Sequence, residues 1–152
     1  PSQEGVAKRL FEQTQVVLGD RNVSDFRGVD FLLLTPSFLT LRQQTINRLA
    51  ESELLPAGEE VSRVLMYTKS DMHTKLFEAF KKRVKTEKHN IFVMIADECH
   101  TSATHDGPHN TYVNDEDLHN SDNFVLLGVS ATPYNCLTMG SRVNKDNIVH
   151  WF

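Results

Sequence analysis

Apolar residues along this chain fall into two kinds of run. The first kind is short and dense: residues 29–34, 61–67, 91–96 and 124–129, each closed off by polar or turn-forming residues. Runs of that length bounded by turns predict buried strands. The second kind is longer, with apolar positions three or four apart. Residues 4–18 carry Val6, Leu10, Phe11, Val17 and Leu18 and stop at Gly19. Residues 38–55 carry Leu41, Ile46, Leu49 and Leu54, and residues 71–86 carry Leu76, Phe77 and Phe80. That spacing predicts helices with one face inward. Ser37 is placed to cap the second helix and Ser70 or Asp71 the third, since a side-chain oxygen there can accept a free amide of the first turn. Pro56-Ala57-Gly58 is a break between elements. Residues 91–96 are apolar throughout, which fits a strand buried on both faces of a parallel sheet. Strands alternating with helices predict a doubly wound, mostly parallel α/β sheet with flanking helices.

Composition narrows the class. The chain has 152 residues, 39% of them hydrophobic and 24% charged, which suits one globular domain spanning 1–152. No stretch approaches the roughly 20 apolar residues that cross a bilayer, so no membrane partner is expected. No signal peptide is visible, and two cysteines, Cys99 and Cys136, make no disulfide framework. An intracellular setting, cytoplasm or nucleus, follows as the expectation. The net charge of −4 argues mildly against a small dedicated nucleic-acid binder. It is compatible with a motor that grips phosphates through a few amides and side chains. The basic run Lys81, Lys82, Arg83, Lys85 and Lys88 reads as cations at a helix C-terminus on a solvated face. Starting at Pro1, the chain reads as a fragment or a processed product.

In parallel sheets chemistry gathers at the carboxyl ends of the strands. Three such ends are distinctive here. Residues 91–96 lead into Asp97-Glu98-Cys99-His100, residues 124–129 into Ser130-Ala131-Thr132-Pro133, and residues 29–34 into Thr35-Pro36-Ser37. Two carboxylates after a buried strand need a cation or hydrogen bonds nearby. Phosphoryl transfer to water uses such a pair, one acid to hold Mg²⁺ and one to orient and deprotonate the water. Taken alone, the pair is more often a surface turn.

Together these segments resemble the first RecA-like lobe of a superfamily 2 DExH/DEAD-like helicase, in the manner of type III restriction and UvrB-like ATP-binding motors. Asp97-Glu98-Cys99-His100 is similar to the DExH form of the Walker B box. Ser130-Ala131-Thr132 is similar to the Ser-Ala-Thr motif, and Leu34-Thr35-Pro36-Ser37 with Leu39, Leu41 and Gln43 to the upstream strand–Thr-Pro–helix motif. The resemblance covers residues 29–135 and implies a P-loop NTPase fold that binds ATP and Mg²⁺. It implies that Asp97 holds Mg²⁺, largely through water, and that Glu98 is the general base. His100 would sense nucleotide state across the cleft to a second RecA-like lobe. Ser130 and Thr132 would couple hydrolysis to strand movement, and Thr35, Pro36 and Ser37 would touch the backbone of DNA or RNA, where a helix N-terminus offers amides to a phosphate.

The chain departs from the family pattern in two respects: the arginine-bearing second domain is absent, and so is the phosphate-gripping loop. It therefore reads as a partial first lobe, incomplete at the N-terminus, that is not expected to hydrolyse ATP alone. No Gly-x-x-x-x-Gly-Lys-Ser/Thr loop is present. Gly5-Val6-Ala7-Lys8-Arg9 is the nearest stretch and reads as helix. The loop is expected upstream of Pro1. Two rival readings stand beside the motor. One is a catalytically inactive helicase-like domain that binds nucleic acid or protein; the intact Asp97-Glu98 pair argues against such decay. The other is a zinc module built from Cys99, His100, His105, His109 and His119, whose spacing matches no tight ligand pair. A polar loop is the simpler account, with a short helix over residues 109–118. Catalysis by Cys99 is set aside, because two preceding carboxylates disfavour its thiolate. Tyr134 reads as a packing residue.

Overall fold

The computed structural model describes residue 22 and residues 25–68, 70–97 and 108–130. Strand β1 (Gly28–Thr35) is followed by helix α1 (Leu39–Ser52), a 3-10 turn (Glu60–Arg63), strand β2 (Val64–Met66) and helix α2 (Asp71–Thr86). Strand β3 (Asn90–Ala96), helices α3 (Pro108–Val113) and α4 (Glu116–His119) and strand β4 (Phe124–Gly128) complete the order. The four strands lie β2-β1-β3-β4, every pair parallel. This is the parallel α/β sheet with flanking helices that the alternating pattern calls for.

Strand order decides where function can sit. The chain steps from β1 outward to β2, then back across to β3 and on to β4. Crossovers in such sheets are right-handed, so a reversal of direction sends successive helices to opposite faces. Helix α2 covers one face, burying Phe77, Phe80 and Val84 against Leu32, Leu34, Leu65, Phe92 and Met94. Phe80 meets Phe92 edge-on, with ring centroids 5.5 Å apart. The opposite face gathers Phe26, Ile91, Val93 and Val125. The reversal falls between the carboxyl ends of β1 and β3, the place where folds of this kind have their ligand-binding crevice.

Several local expectations change. Helix α1 starts at Leu39, with Phe38 as its N-cap residue and no side-chain cap; Ser37 does not cap it. The helix stops at Ser52, because Glu53 takes a left-handed φ of 55°. Leu54 is therefore outside it and exposed. The second strand is shorter than the run over 61–67, since Ser62 bonds back to Glu59 C=O through both its N–H and its hydroxyl, closing a turn. Ser70 does cap α2, accepting from His73 N–H at 3.3 Å. The helix expected over 109–118 is two short helices, broken where Asp115 caps the second by accepting from Leu118 N–H at 3.0 Å.

The basic run at the end of α2 is solvated at Lys82, Lys85 and Lys88, as expected, and most of its cations are also paired. Lys81 pairs with Asp115 at 2.8 Å and Lys85 with Asp117 at 2.9 Å, tying α2 to α4. The hydrogen bond to Asp115 holds the Lys81 ammonium above its ordinary pKa, and the bond from Lys85 holds Asp117 below its own. Arg83 pairs with Glu87 and with Asp30, and Lys88 reaches Asp122. Lys81 and Arg83 are thus engaged by the fold, while Lys82, Lys85 and Lys88 stay exposed.

Candidate functional site

The register puts the distinctive residues on one edge. Thr35 pairs with Met66, Leu34 with Ala96, and Ala96 with Gly128. Asp97 therefore stands level with Thr35, and Ser130 lies one step past that row, two residues beyond the end of β4. Neighbouring strands are ~4.8 Å apart, so Thr35 and Asp97 flank the crevice at the point where the strand order reverses. The ladder continues to this edge: Asp97 N–H donates to Leu34 C=O at 2.9 Å, and Val129 N–H to Ala96 C=O at 2.9 Å. Asp97 is half-buried, at the end of an apolar strand that delivers it to the rim.

The segment after β1 behaves less uniformly than the sequence suggests. Thr35 is only 2% exposed, and its hydroxyl donates to Leu65 C=O at 3.2 Å. Pro36 is buried as well. Their side chains hold the turn in place. Of the three residues, Ser37 alone is exposed, and its hydroxyl donates to Tyr67 C=O at 2.6 Å. Helix α1 then presents its first-turn amides with no side-chain cap and no acid in that turn, beside Phe38, which is 67% exposed. An uncapped N-terminus carries partial positive charge and free donors.

Two tyrosines to which the sequence reading gave no role at the site organise this edge. Tyr67, immediately after β2, sends its hydroxyl to Asp97 C=O at 2.9 Å. Tyr112 on α3 donates to Thr68 C=O at 3.1 Å and lies 4.7 Å from the Phe77 ring. Burial pushes the Tyr112 phenol up from its ordinary value. The available signal was their position: Tyr67 ends an apolar strand at a sheet edge, where a polar tip on an apolar body is useful.

Behind the crevice, His73 is buried in the first turn of α2 with Nδ1 lacking a hydrogen-bond partner. Burial, then the nearby Arg42 guanidinium, depress its pKa. Arg42 itself fastens α1 to the edge strand, donating to Val64 C=O at 2.9 Å and to Val61 C=O at 3.1 Å.

Glu98, His100 and Thr132 lie outside the described residues, as do Cys99, His105, Tyr134 and the helix expected over 4–18. His119 is described, and its Nε2 sits 2.6 Å from Val113 C=O with the ring edge-on to Phe124. That ring holds the α3–α4 corner together instead of facing a zinc site. Among the described residues no three potential ligands come together for a metal. A magnesium ion asks for less, since it keeps most of its waters and takes one or two carboxylates besides phosphate oxygens. Asp97, at a strand end on the rim, suits that requirement.

Comparison with known proteins brings in the family at this point. Residues 1–152 match the circularly permuted SF2 helicase found in GREB1 proteins. The chain belongs to that family. It is 28% identical to a GREB1-like protein of Homo sapiens over 96% of its own length, and 28% identical to one of Danio rerio over 99%. Protein GREB1 of Homo sapiens is 24% identical over 99%. The chain spans about 9% of the length of each of these relatives. No solved structure gives a significant match. The helicase-like resemblance read from Asp97, Ser130 and Thr35-Pro36 thus holds at the level of the superfamily, in a permuted branch of it. Among the described residues no helix is long and apolar enough to cross a membrane.

Proposed function

We propose that this chain is the acid-bearing part of an ATP-driven motor lobe that works on a nucleic acid. One observation carries the reading: Thr35–Ser37, Asp97 and Ser130 arrive on a single sheet edge, around the crevice where the strand order reverses. Asp97 would hold Mg²⁺ through water, and Glu98, the next residue, would take the proton from the attacking water. His100 would face a second lobe of the parent chain. Ser130, just past the end of the neighbouring strand, would report changes at the acid box to the bound strand, with Thr132.

For the nucleic acid, the described residues favour backbone amides over cations. The uncapped α1 N-terminus beside Ser37 suits a phosphate. The paired lysines of α2 do not. A permuted family also removes one difficulty. Permutation changes the order of segments, so a phosphate-gripping loop is free to lie elsewhere in the parent chain than ahead of β1.

The test is Mg²⁺-dependent ATP hydrolysis by the full-length parent protein, with and without single- and double-stranded DNA and RNA. The expected result is turnover that rises with one polymer and drops about 10²–10⁴-fold in Glu98→Gln. Background unaffected by Glu98→Gln with every polymer would refute the motor. Strand binding without turnover would then mark the domain as an inactive helicase-like binding module.

A further inference from the structure

Four hydrogen bonds meet on two consecutive residues, Tyr67 and Thr68. Tyr67 N–H donates to Thr35 C=O at 3.0 Å, and Ser37 Oγ donates to Tyr67 C=O at 2.6 Å. The Tyr67 hydroxyl donates to Asp97 C=O at 2.9 Å, and that of Tyr112 to Thr68 C=O at 3.1 Å. The first two tie Tyr67 to the turn that leads into α1. The third ties it to the acid box, across the width of β1. The Tyr67 ring is buried in the cluster that holds Leu65, Phe77 and Met94, so backbone, ring and hydroxyl are packed as one body.

Asp97 is thereby held at both ends of its main chain. Its N–H is bound to Leu34 C=O at 2.9 Å, and its C=O is bound by Tyr67. The bound carbonyl begins the peptide link into Glu98. A peptide unit is planar, so fixing that carbonyl fixes the plane from which the next residue departs.

We infer that Tyr67 is a positioning residue that couples the Thr35–Ser37 turn to the Asp97-Glu98 box. The inference rests on the motor reading and names the route by which strand binding reaches the acids. A phosphate drawn to the α1 N-terminus shifts Ser37, Ser37 pulls on the Tyr67 carbonyl, and the Tyr67 hydroxyl carries the shift to Asp97. Strand-stimulated turnover depends on that one hydroxyl.

The experiment compares Tyr67→Phe with Tyr112→Phe in the full-length parent, reading strand affinity and the ratio of strand-stimulated to basal ATP turnover. Both variants remove a tyrosine hydroxyl bound to a main-chain carbonyl, but only the first bond reaches Asp97. The expected result is a stimulation ratio lowered about two- to tenfold in Tyr67→Phe, the range of one neutral hydrogen bond, with strand affinity kept. Tyr112→Phe keeps the wild-type ratio. Equal losses in both variants would mean general loosening of the edge and would overturn the coupling. So would an unchanged ratio in Tyr67→Phe. If the wild-type parent shows no strand-stimulated turnover, the motor reading itself fails, and that control alone identifies the failure.

Discussion

Asp30 gives the sharpest test of how this fold is held. It lies on β1 near the amino end of the sheet, on the face that α2 covers, and is 7% exposed. Its carboxylate accepts from Arg63 Nε at 2.9 Å and Arg63 Nη2 at 3.3 Å, and from Phe31 N–H at 2.8 Å. Arg83 of α2 also pairs with it and lies 5.6 Å from the Phe92 ring centroid. Replacing Asp30 by Asn keeps the shape and removes the charge, which leaves two guanidiniums facing a neutral group. Breaking a buried pair in this way costs about 3–5 kcal/mol. Here the figure must come down. Arg83 is a third exposed and keeps Glu87, and Arg63 keeps the exposed Glu59. About 2–3 kcal/mol remains after that discount. For a domain of this size each kcal/mol moves the melting temperature by about 2–4 °C, so Asp30→Asn should melt roughly 5–10 °C lower. Thermal unfolding followed by circular dichroism at neutral pH reads this directly. Glu59→Gln removes only the rim partner and should shift melting by less than about 2 °C. Melting of Asp30→Asn within a degree of wild type would refute the reasoning, since the pair would then contribute no more than an exposed one.

Two further outcomes follow from the same structure. Asn123 is fully buried, and its side-chain amide donates to Val84 C=O and Asn90 C=O, both at 3.1 Å, while Lys88 Nζ donates to its oxygen at 3.1 Å. Asn123→Ala strands those carbonyls and should lower stability by about 1–3 kcal/mol in urea unfolding, whereas an unchanged midpoint would show that water replaces the amide. His73 has its pKa depressed below the ordinary 6.5 by burial and by Arg42, so the unfolded chain binds its proton more readily than the folded one. Stability from this group is full above 6.5 and falls as pH drops below that value towards the folded pKa. Melting measured between pH 7.5 and 5 should therefore fall more steeply in wild type than in His73→Phe, and parallel slopes would exclude His73 as a contributor.

How much of this was legible in the sequence depends on the range of the interaction. Strands β1, β3 and β4 and helix α2 follow from local pattern, because an apolar run or a helical stripe is written in adjacent residues. The three strand-end segments were legible for a similar reason: each is contiguous, and a parallel sheet sends all its carboxyl ends to one edge. The error at Ser37 came from a real competition. A serine ahead of a helix can cap it or bond elsewhere, and here the Tyr67 carbonyl, 30 residues on, takes the hydroxyl. The ion pairs of α2 were illegible for the same reason, since Lys81 and Asp115 lie 34 residues apart. Charge type was visible; partner identity was set by topology.

The same distinction divides the molecule into two edges with different tasks. At the amino edge, Asp30, Asn123 and the end of α2 close on one another through long-range polar contacts, and Glu87 is held below its ordinary pKa, chiefly by its bonds from Arg83. Substitution there should act on stability, since among the described residues no carboxyl end of a strand points to that side. At the carboxyl edge, the hydroxyls of Thr35, Ser37 and Tyr67 donate to the main-chain carbonyls of Leu65, Tyr67 and Asp97, so their geometry is fixed without recourse to charge. An edge built that way can leave Asp97 on the rim while its backbone stays rigid. The proposed magnesium-holding role of Asp97 would need that, because the carboxylate must hold the hydrated ion without reorganising. A substitution at the carboxyl edge that lowers turnover while leaving melting unchanged, set beside one at the amino edge with the reverse effect, would separate the two tasks experimentally.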